Sequence, residues 1–241
     1  MAVPADVALL GRVSARLRLL PWKQSSVGTA AHPDRDAAAV SGMLECLERY
    51  AIRQVWAGTA GLAPATEQLR GLMPPGLVAV FEAQQLAAHA WHVIDLSPVC
   101  VSLVLVGRKD RAQATFGAGA GFDSKAVLVH ALHEAIMVRA ALANRANQTD
   151  REFQRGVRSA RHQEAFLSYL GDLQGHTTND NGSITPSDLP AFVEERFGVA
   201  PLLVDVPSVD AHTVVKAVIP SADFLIPRSA GDYVLAPGYL E

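Results

Sequence analysis

Cysteine is scarce in this chain of 241 residues. The two present, Cys46 and Cys100, stand far apart with no Cys-x-x-Cys pair. That argues against a disulfide framework or a thiolate zinc site and for a reducing compartment. No apolar run approaches the roughly 18 residues that a membrane span needs. At the amino end, MAVPADVALL is followed by Arg12, Arg16 and Arg18 with no small-residue cleavage site, so no secretory signal is read. Strong charge of either sign is lacking as well. The net charge is −3 and the pI about 6.2, so no nucleic-acid footprint is expected. These absences together predict a cytoplasmic protein that binds neither nucleic acid nor membrane.

What is present is an ordinary globular composition, 49% hydrophobic and 19% charged, long enough for one large domain or two small ones. The richest stretch is residues 25–56, SSVGTAAHPDRDAAAVSGMLECLERYAIRQVW. It reads as a glycine turn, a helix start at Pro33 and Asp34, and a long helix whose apolar stripe is Ala37, Val40, Leu44 and Leu47. Glu45 and Glu48 lie three apart on one helix face, and Arg49 follows.

Beyond it, residues 1–20 suggest a short helix or strand, 65–72 a turn or two of helix, and 77–90 a helix. Residues 91–96 and 99–107 read as strands broken at Ser97 and Pro98, the second apolar enough to be buried on both faces. FGAGAGF at 116–122 reads as a glycine loop. Residues 123–142 form a helix with the stripe Ala126, Val129, Leu132, Ile136 and Ala140, and an Arg-rich helix is expected over 149–170. A polar loop over 175–186, a helix over 189–197, strands over 202–206 and 214–219 and a proline-containing tail complete the pattern. Strands and helices mix without strict alternation, so the expected fold class is α+β. The expected layout is one domain, with a leading segment (1–24), a core (25–220) and a tail (221–241).

The chain also echoes itself. Gly28, Asp34, Ala37 and Glu45 match Gly117, Asp123, Ala126 and Glu134 without a gap, at a constant offset of 89 residues. Both copies run glycine turn, helix-starting Asp, apolar helix, Glu, and they predict a pseudo-symmetric pair. They diverge at Glu48 and Arg49, where the second copy has Met137 and Val138.

Glu45, Glu48 and Glu134 are the candidate magnesium ligands, because Mg2+ takes oxygen donors and commonly pairs one or two carboxylates with nucleotide phosphates. The bland alternative is a salt-bridged helix face using Arg49, Arg53 and Arg139. Gly117 and Gly119 belong to GxGxG, not GxGxxG, and no GK[ST] accompanies them. They allow close approach of backbone, with the next helix start available to face an anion. His130, His133 and Glu134 spell HxxHE, which lacks zincin geometry. Cys46 reads as a buried, inert thiol. Arg151, Arg155, Arg158 and Arg161 read as a solvated helix face, or else as a surface for phosphate or acidic peptide.

These motifs, in order, resemble the YcaO family, whose members modify ribosomally made peptides. SSVGTAAHPDRDAAAVSGMLECLERYA resembles the family's small-residue turn, Ala-rich helix and ExxER. GAGAGFDSKAVLVHALHEAIMVR is similar to its later Gly-rich turn and ExxQ-type helix, and FGVAPLLVDVPSVDAHTVVKAVIP to its closing segment. The chain departs from the pattern in three places. Met137 stands where the family has Gln, the tail LAPGYLE lacks a PxPxP end, and the family's earlier part has no counterpart. The resemblance therefore implies a shortened YcaO-like core lacking the N-terminal part.

The resemblance implies ATP-dependent activation of a peptide amide, giving thiazolines and oxazolines, or thioamides in other relatives. Glu45, Glu48 and Glu134 would hold Mg2+ and phosphate, with Arg49 and Arg139 near the phosphates and Gly117 and Gly119 in the nucleotide-binding turn. The implied partners are a precursor peptide, a leader-peptide-binding module on another chain and a flavin dehydrogenase carrying FMN. Homodimerisation is left open. The alternative is a degenerate YcaO without ATP chemistry that serves as a scaffold or substrate-presenting subunit and completes the dehydrogenase site.

Overall fold

The computed structural model describes residues 26–56, 58–108, 114–145, 183–207 and 212–220. In chain order the elements are β1 (Thr29–His32), α1 (Arg35–Trp56), β2 (Leu62–Pro64), α2 (Thr66–Leu72), α3 (Pro75–Ala83), β3 (Leu86–Val93) and β4 (Cys100–Arg108). They continue with β5 (Thr115–Gly121), α4 (Ser124–Arg145), α5 (Leu189–Phe197), β6 (Leu202–Val206) and β7 (Thr213–Val218). Helices and antiparallel sheets mix without βαβ alternation, so the α+β expectation is borne out. The expected segments 1–20 and 149–170, the tail and most of the loop over 175–186 lie outside the described residues.

The chain divides into two compact units. One takes the described residues up to Arg53 and from Ser183 onwards, the other those from Gln54 to residue 145. The second unit holds an antiparallel sheet in the order β2-β3-β4-β5, with α4 running from the end of its edge strand. Its core joins Val104, Val106, Leu128, Ala131, Leu132 and Ala135 to Leu69 and Phe81. Val101, Leu103 and Leu105, on the opposite face of β4, are buried too, as the near-continuous apolar run predicts.

The first unit holds an antiparallel sheet in the order β1-β7-β6, with α1 running from β1. Ala38, Ala39 and Val215 centre its core. Tyr50 meets Phe197 of α5 edge-on at 5.0 Å, and Arg35 pairs with Asp205 of β6 at 2.8 Å.

Both units contain one succession: short helix, strand, strand, strand, long helix. In the second it is continuous as α3-β3-β4-β5-α4. In the first, α5-β6-β7 comes late in the chain and β1-α1 early, and the β7–β1 pairing closes the order. Helices α3 and α5 are both 9 residues with proline in the first turn. Helices α1 and α4 are both 22 residues, and their first and last residues coincide under the 89-residue offset.

The long helices start alike. Asp34 Oδ1 accepts the Ala37 N–H at 2.8 Å, and Asp123 Oδ1 accepts those of Lys125 at 2.8 Å and Ala126 at 3.2 Å. Each carboxylate satisfies orphan donors of its helix start and complements the dipole. Asp34→Ala and Asp123→Ala are each expected to cost about 1 kcal/mol, read by urea unfolding, with Asn retaining most of the cap. Equal midpoints for Ala variant and parent would remove the capping role.

Five sequence expectations need correction. The stripe of α1 is Ala38, Ala39, Gly42, Met43, Cys46 and Leu47; Ala37, Val40 and Leu44 are only half-buried. The stripe of α4 is Val127, Leu128, Ala131, Leu132 and Ala135, while Ala126 and Ala140 are exposed. Small residues, which weigh little in a hydrophobic pattern, carry the close packing, and they shift the true face by one position. The 116–122 loop is strand β5, because its alternate glycines face α4 and let the backbones approach. The 77–90 helix ends at Ala83; β3 begins at Leu86, after Gln85 at φ 54°. Strand β1 lies within what reads as a turn, and only its pairing with the distant β7 makes it one.

Candidate functional site

On α1, Glu45, Glu48 and Arg49 come together. Arg49 Nε lies 4.0 Å from Glu45 Oε1, and its terminal nitrogen 3.6 Å from Glu48 Oε1. Glu48 is 9% exposed, which a carboxylate tolerates only with partners. The salt-bridged face expected from spacing is thus present at Arg49.

Glu45 has a second anchor. Its Oε2 accepts the Gly28 N–H at 3.0 Å, from the turn that leads into β1. Gly28 has φ 81°, a conformation suited to glycine. A Cβ there would lie 2.2 Å from the Ala217 carbonyl oxygen and 2.8 Å from Cys46 Sγ.

The second copy repeats the device. Glu134 Oε2 on α4 accepts the Ala118 N–H of β5 at 2.6 Å. A Cβ on Gly117 would lie 2.1 Å from the Ala131 carbonyl oxygen and 2.4 Å from the Ala135 nitrogen. Gly28 against position 46 thus corresponds to Gly117 against position 135 under the same offset. The helix carboxylate takes a turn N–H in the first copy, from Gly28 just before β1, and a strand N–H in the second, from Ala118 within β5. Such charge-assisted bonds are worth about 1.5–3 kcal/mol each and fix one oxygen of the carboxylate.

The other sequence-predicted residues fall around these two anchors. Gly119 is buried in β5, where a Cβ would come within 3.0 Å of the Val127 carbonyl oxygen. Close packing against α4 therefore already explains both glycines. Met137, the counterpart of Glu48, is 69% exposed, and Arg139 is half-buried two positions on. His130 and His133 are exposed. Within neither unit, among the described residues, do three or more His, Cys, Asp or Glu side chains gather as a metal set. Glu45 and Glu48 lie in the first unit and Glu134 in the second.

Cys46 is buried as expected. Burial pushes its thiol up to about 12, with Glu45 adding to the rise and Lys216 opposing it, so it stays protonated and unreactive at neutral pH. Sequence reasoning missed Lys216. It lies in β7, 1% exposed, and its ammonium donates to the Val27 carbonyl oxygen. Burial lowers its pKa, with Cys46 and Glu45 opposing that shift. The signal was available as a single lysine within the apolar run VVKAV.

The carboxylates fit a magnesium ion by donor chemistry: they supply oxygen only, and a backbone N–H holds one oxygen of Glu45 and one of Glu134. Among the described residues no helix is long and apolar enough to cross a membrane.

Comparison with known proteins gives the wider setting. No curated protein matches the sequence significantly. Solved structures do match in fold. A heterocyclase in complex with substrate and cofactor superposes with a TM-score of 0.71 at 16% identity, covering 97% of this chain and 36% of that one. YcaO from Methanopyrus kandleri bound with AMPPCP and Mg2+ gives 0.64 at 16%, covering 83% of this chain and 56% of that one. The E. coli microcin synthetase McbBCD complex with pro-MccB17 bound gives 0.64 at 17%, covering 92% and 60%. This chain thus spans between about a third and three-fifths of the length of these relatives. At such identities the likeness is one of fold. The family model described as YcaO cyclodehydratase, ATP- and Mg2+-binding, matches residues 1–223. With the family model matching residues 1–223 and the solved heterocyclase and YcaO structures alike in fold, this chain belongs to the YcaO family.

Proposed function

We propose that this chain is a subunit of a multi-protein synthetase that activates backbone amides of a ribosomally made precursor peptide, with Mg2+ and ATP, to form azoline-type rings. The observation that carries the reading is the matched pair of anchored carboxylates, Glu45 on the Gly28 N–H and Glu134 on the Ala118 N–H. Two glutamates at equivalent positions, each held by a backbone donor, with the second donor one residue further along its copy, are pre-organised, and catalysis of phosphoryl transfer rests mainly on positioning and electrostatics.

In the reaction proposed, a Cys, Ser or Thr side chain of the peptide adds to the preceding amide carbon. The nucleophile gives up its S–H or O–H proton on addition, and the former carbonyl oxygen takes the γ-phosphoryl group of ATP, releasing ADP. That oxygen then departs as phosphate while the amide nitrogen loses its proton, leaving the C=N bond of the azoline. The magnesium ligands of this reading are Glu45, Glu48 and Glu134; bound Mg2+ would neutralise phosphate charge. Arg49 and Arg139 are the cations assigned to phosphate. Arg49 is restrained by the two acids of its own helix, which orients its guanidinium. The partners of the reading are the precursor peptide, a leader-binding module on another chain and a flavin dehydrogenase that carries FMN and oxidises azolines to azoles.

The test is to purify the chain with the proteins encoded beside it, and to measure Mg2+-ATP binding and peptide-dependent phosphate release. The reading expects both, with one phosphate per ring. Peptide modification that proceeds without nucleotide binding would overturn it in favour of a scaffold role.

A further inference from the structure

The turn before β1 is held in an unusual way. Thr29 N–H bonds the Ser26 carbonyl oxygen at 2.9 Å, and Gly28, third in the turn, has the positive φ of 81° that a type II turn requires. Types I and II differ by a flip of the central peptide, here the one joining Val27 to Gly28, which exchanges the directions of its C=O and N–H. Both edges of this peptide are engaged. The Lys216 ammonium donates to the Val27 oxygen, and the Gly28 N–H donates to Glu45 Oε2 at 3.0 Å. The next carbonyl, that of Gly28, accepts the Ala217 N–H at 2.7 Å.

We propose that Lys216 is a positioning residue for Glu45, acting through the single peptide group between Val27 and Gly28. A cation on the carbonyl oxygen polarises the amide and strengthens its N–H as a donor. It also opposes the flip that would point the carbonyl at the carboxylate. One oxygen of Glu45 is thereby fixed and the orientation of the other is set. The second copy shows what the lysine adds. Lys216 sits opposite Thr29 in the β1–β7 ladder, and the equivalent place in the β4–β5 ladder, opposite Ala118, is the buried Leu103. There the Ala118 N–H belongs to a regular strand, which needs no cation to hold its peptide. A glycine turn has more freedom and does.

The clamp stands on its own geometry, whereas its consequence for metal binding rests on the function proposed above. The test therefore has two arms. Val-Gly occurs twice in the chain, at residues 27–28 and 106–107. Labelling valine carbonyl carbon and glycine nitrogen in the full chain, with its partner proteins, thus gives one reporter signal and one control signal in the other unit. Lys216→Met is expected to shift the Gly28 signal and speed its amide exchange by about tenfold, as loss of one charge-assisted bond implies, and to leave Gly107 unchanged. Lys216→Arg, which keeps a donor, should restore most of the protection. Unchanged exchange at Gly28 in the Met variant overturns the clamp. Should that variant fail to fold, a coupling across the hydrogen bond between the Lys216 ammonium nitrogen and the Val27 carbonyl carbon decides in the parent, and its absence overturns the clamp.

In the second arm the apparent Mg2+ dissociation constant in the presence of ATP is expected to rise about tenfold in Lys216→Met and to recover in Lys216→Arg. An unchanged constant beside a shifted Gly28 overturns the positioning role. A parent chain that binds no Mg2+-ATP overturns the proposed function, and the first arm then decides on the clamp.

Discussion

Gly117→Ala is expected to destabilise the chain by about 3 kcal/mol or more, at the upper end of overpacking costs. The added Cβ would lie 2.1 Å from the Ala131 carbonyl oxygen and 2.4 Å from the Ala135 nitrogen. Both are backbone atoms of α4, so no side-chain rotation relieves the contact. Either α4 moves off β5, exposing Leu128, Ala131, Leu132 and Ala135 of the core, or the strand bends. The displacement would also stretch the 2.6 Å bond from the Ala118 N–H to Glu134. For a chain of this size the melting temperature should fall by roughly 6–12 °C. Gly71→Ala in α2 is the control. Nothing lies within 4 Å of a Cβ there, and a helical alanine should gain about 0.5–1 kcal/mol over glycine. Equal midpoints for the two variants would show that β5 and α4 are not packed through Gly117.

This glycine shows what the sequence could and could not reveal. GAGAG suggested a loop because glycine breaks local structure, and close backbone approach because glycine permits it. The second reading describes the contact with α4. The first failed because only α4 and β4, lying on either side, hold the segment extended. Strand β1 was illegible for a related reason: four residues pair with β7, far along the chain. The long helices were legible from their Asp starts. Their faces were displaced, because Ala38, Ala39, Gly42, Ala131 and Ala135 carry the contact while hydrophobic periodicity favours larger residues. The repeat was visible as four matching positions, and the structure extends it to helix bounds, caps, buried faces and the carboxylate anchors. The sequence singles out Glu45 and Glu134 as a pair, and the structure gives each a backbone donor. Lys216 was not, because its importance lies in a turn distant in the chain.

The anchors separate two roles that a glutamate can play, and substitution pulls them apart. On the function proposed above, Glu45→Gln and Glu134→Gln are each expected to lower Mg2+-ATP-dependent turnover by about 100-fold. The amide oxygen still accepts the Gly28 or Ala118 N–H, so the unfolding midpoint should move little. The alanine variants should lose the same activity and also about 1.5–3 kcal/mol of stability, since a backbone donor is left without its charged acceptor. Were the carboxylates purely structural, Gln would preserve turnover and Ala would reduce it only in step with unfolding. Met137→Gln runs in the opposite direction. The side chain is 69% exposed, so the exchange costs the fold little, and it introduces an oxygen one turn from Glu134. If the helix face around Glu134 binds magnesium, this variant should tighten the apparent Mg2+ affinity severalfold, by an amount within about 1 kcal/mol. A loss of turnover in Glu134→Gln with no response in Met137→Gln would keep Glu134 as a ligand and place position 137 outside the metal's reach. No loss in either Gln variant would remove magnesium from this face and leave the paired anchors as packing devices of a scaffold.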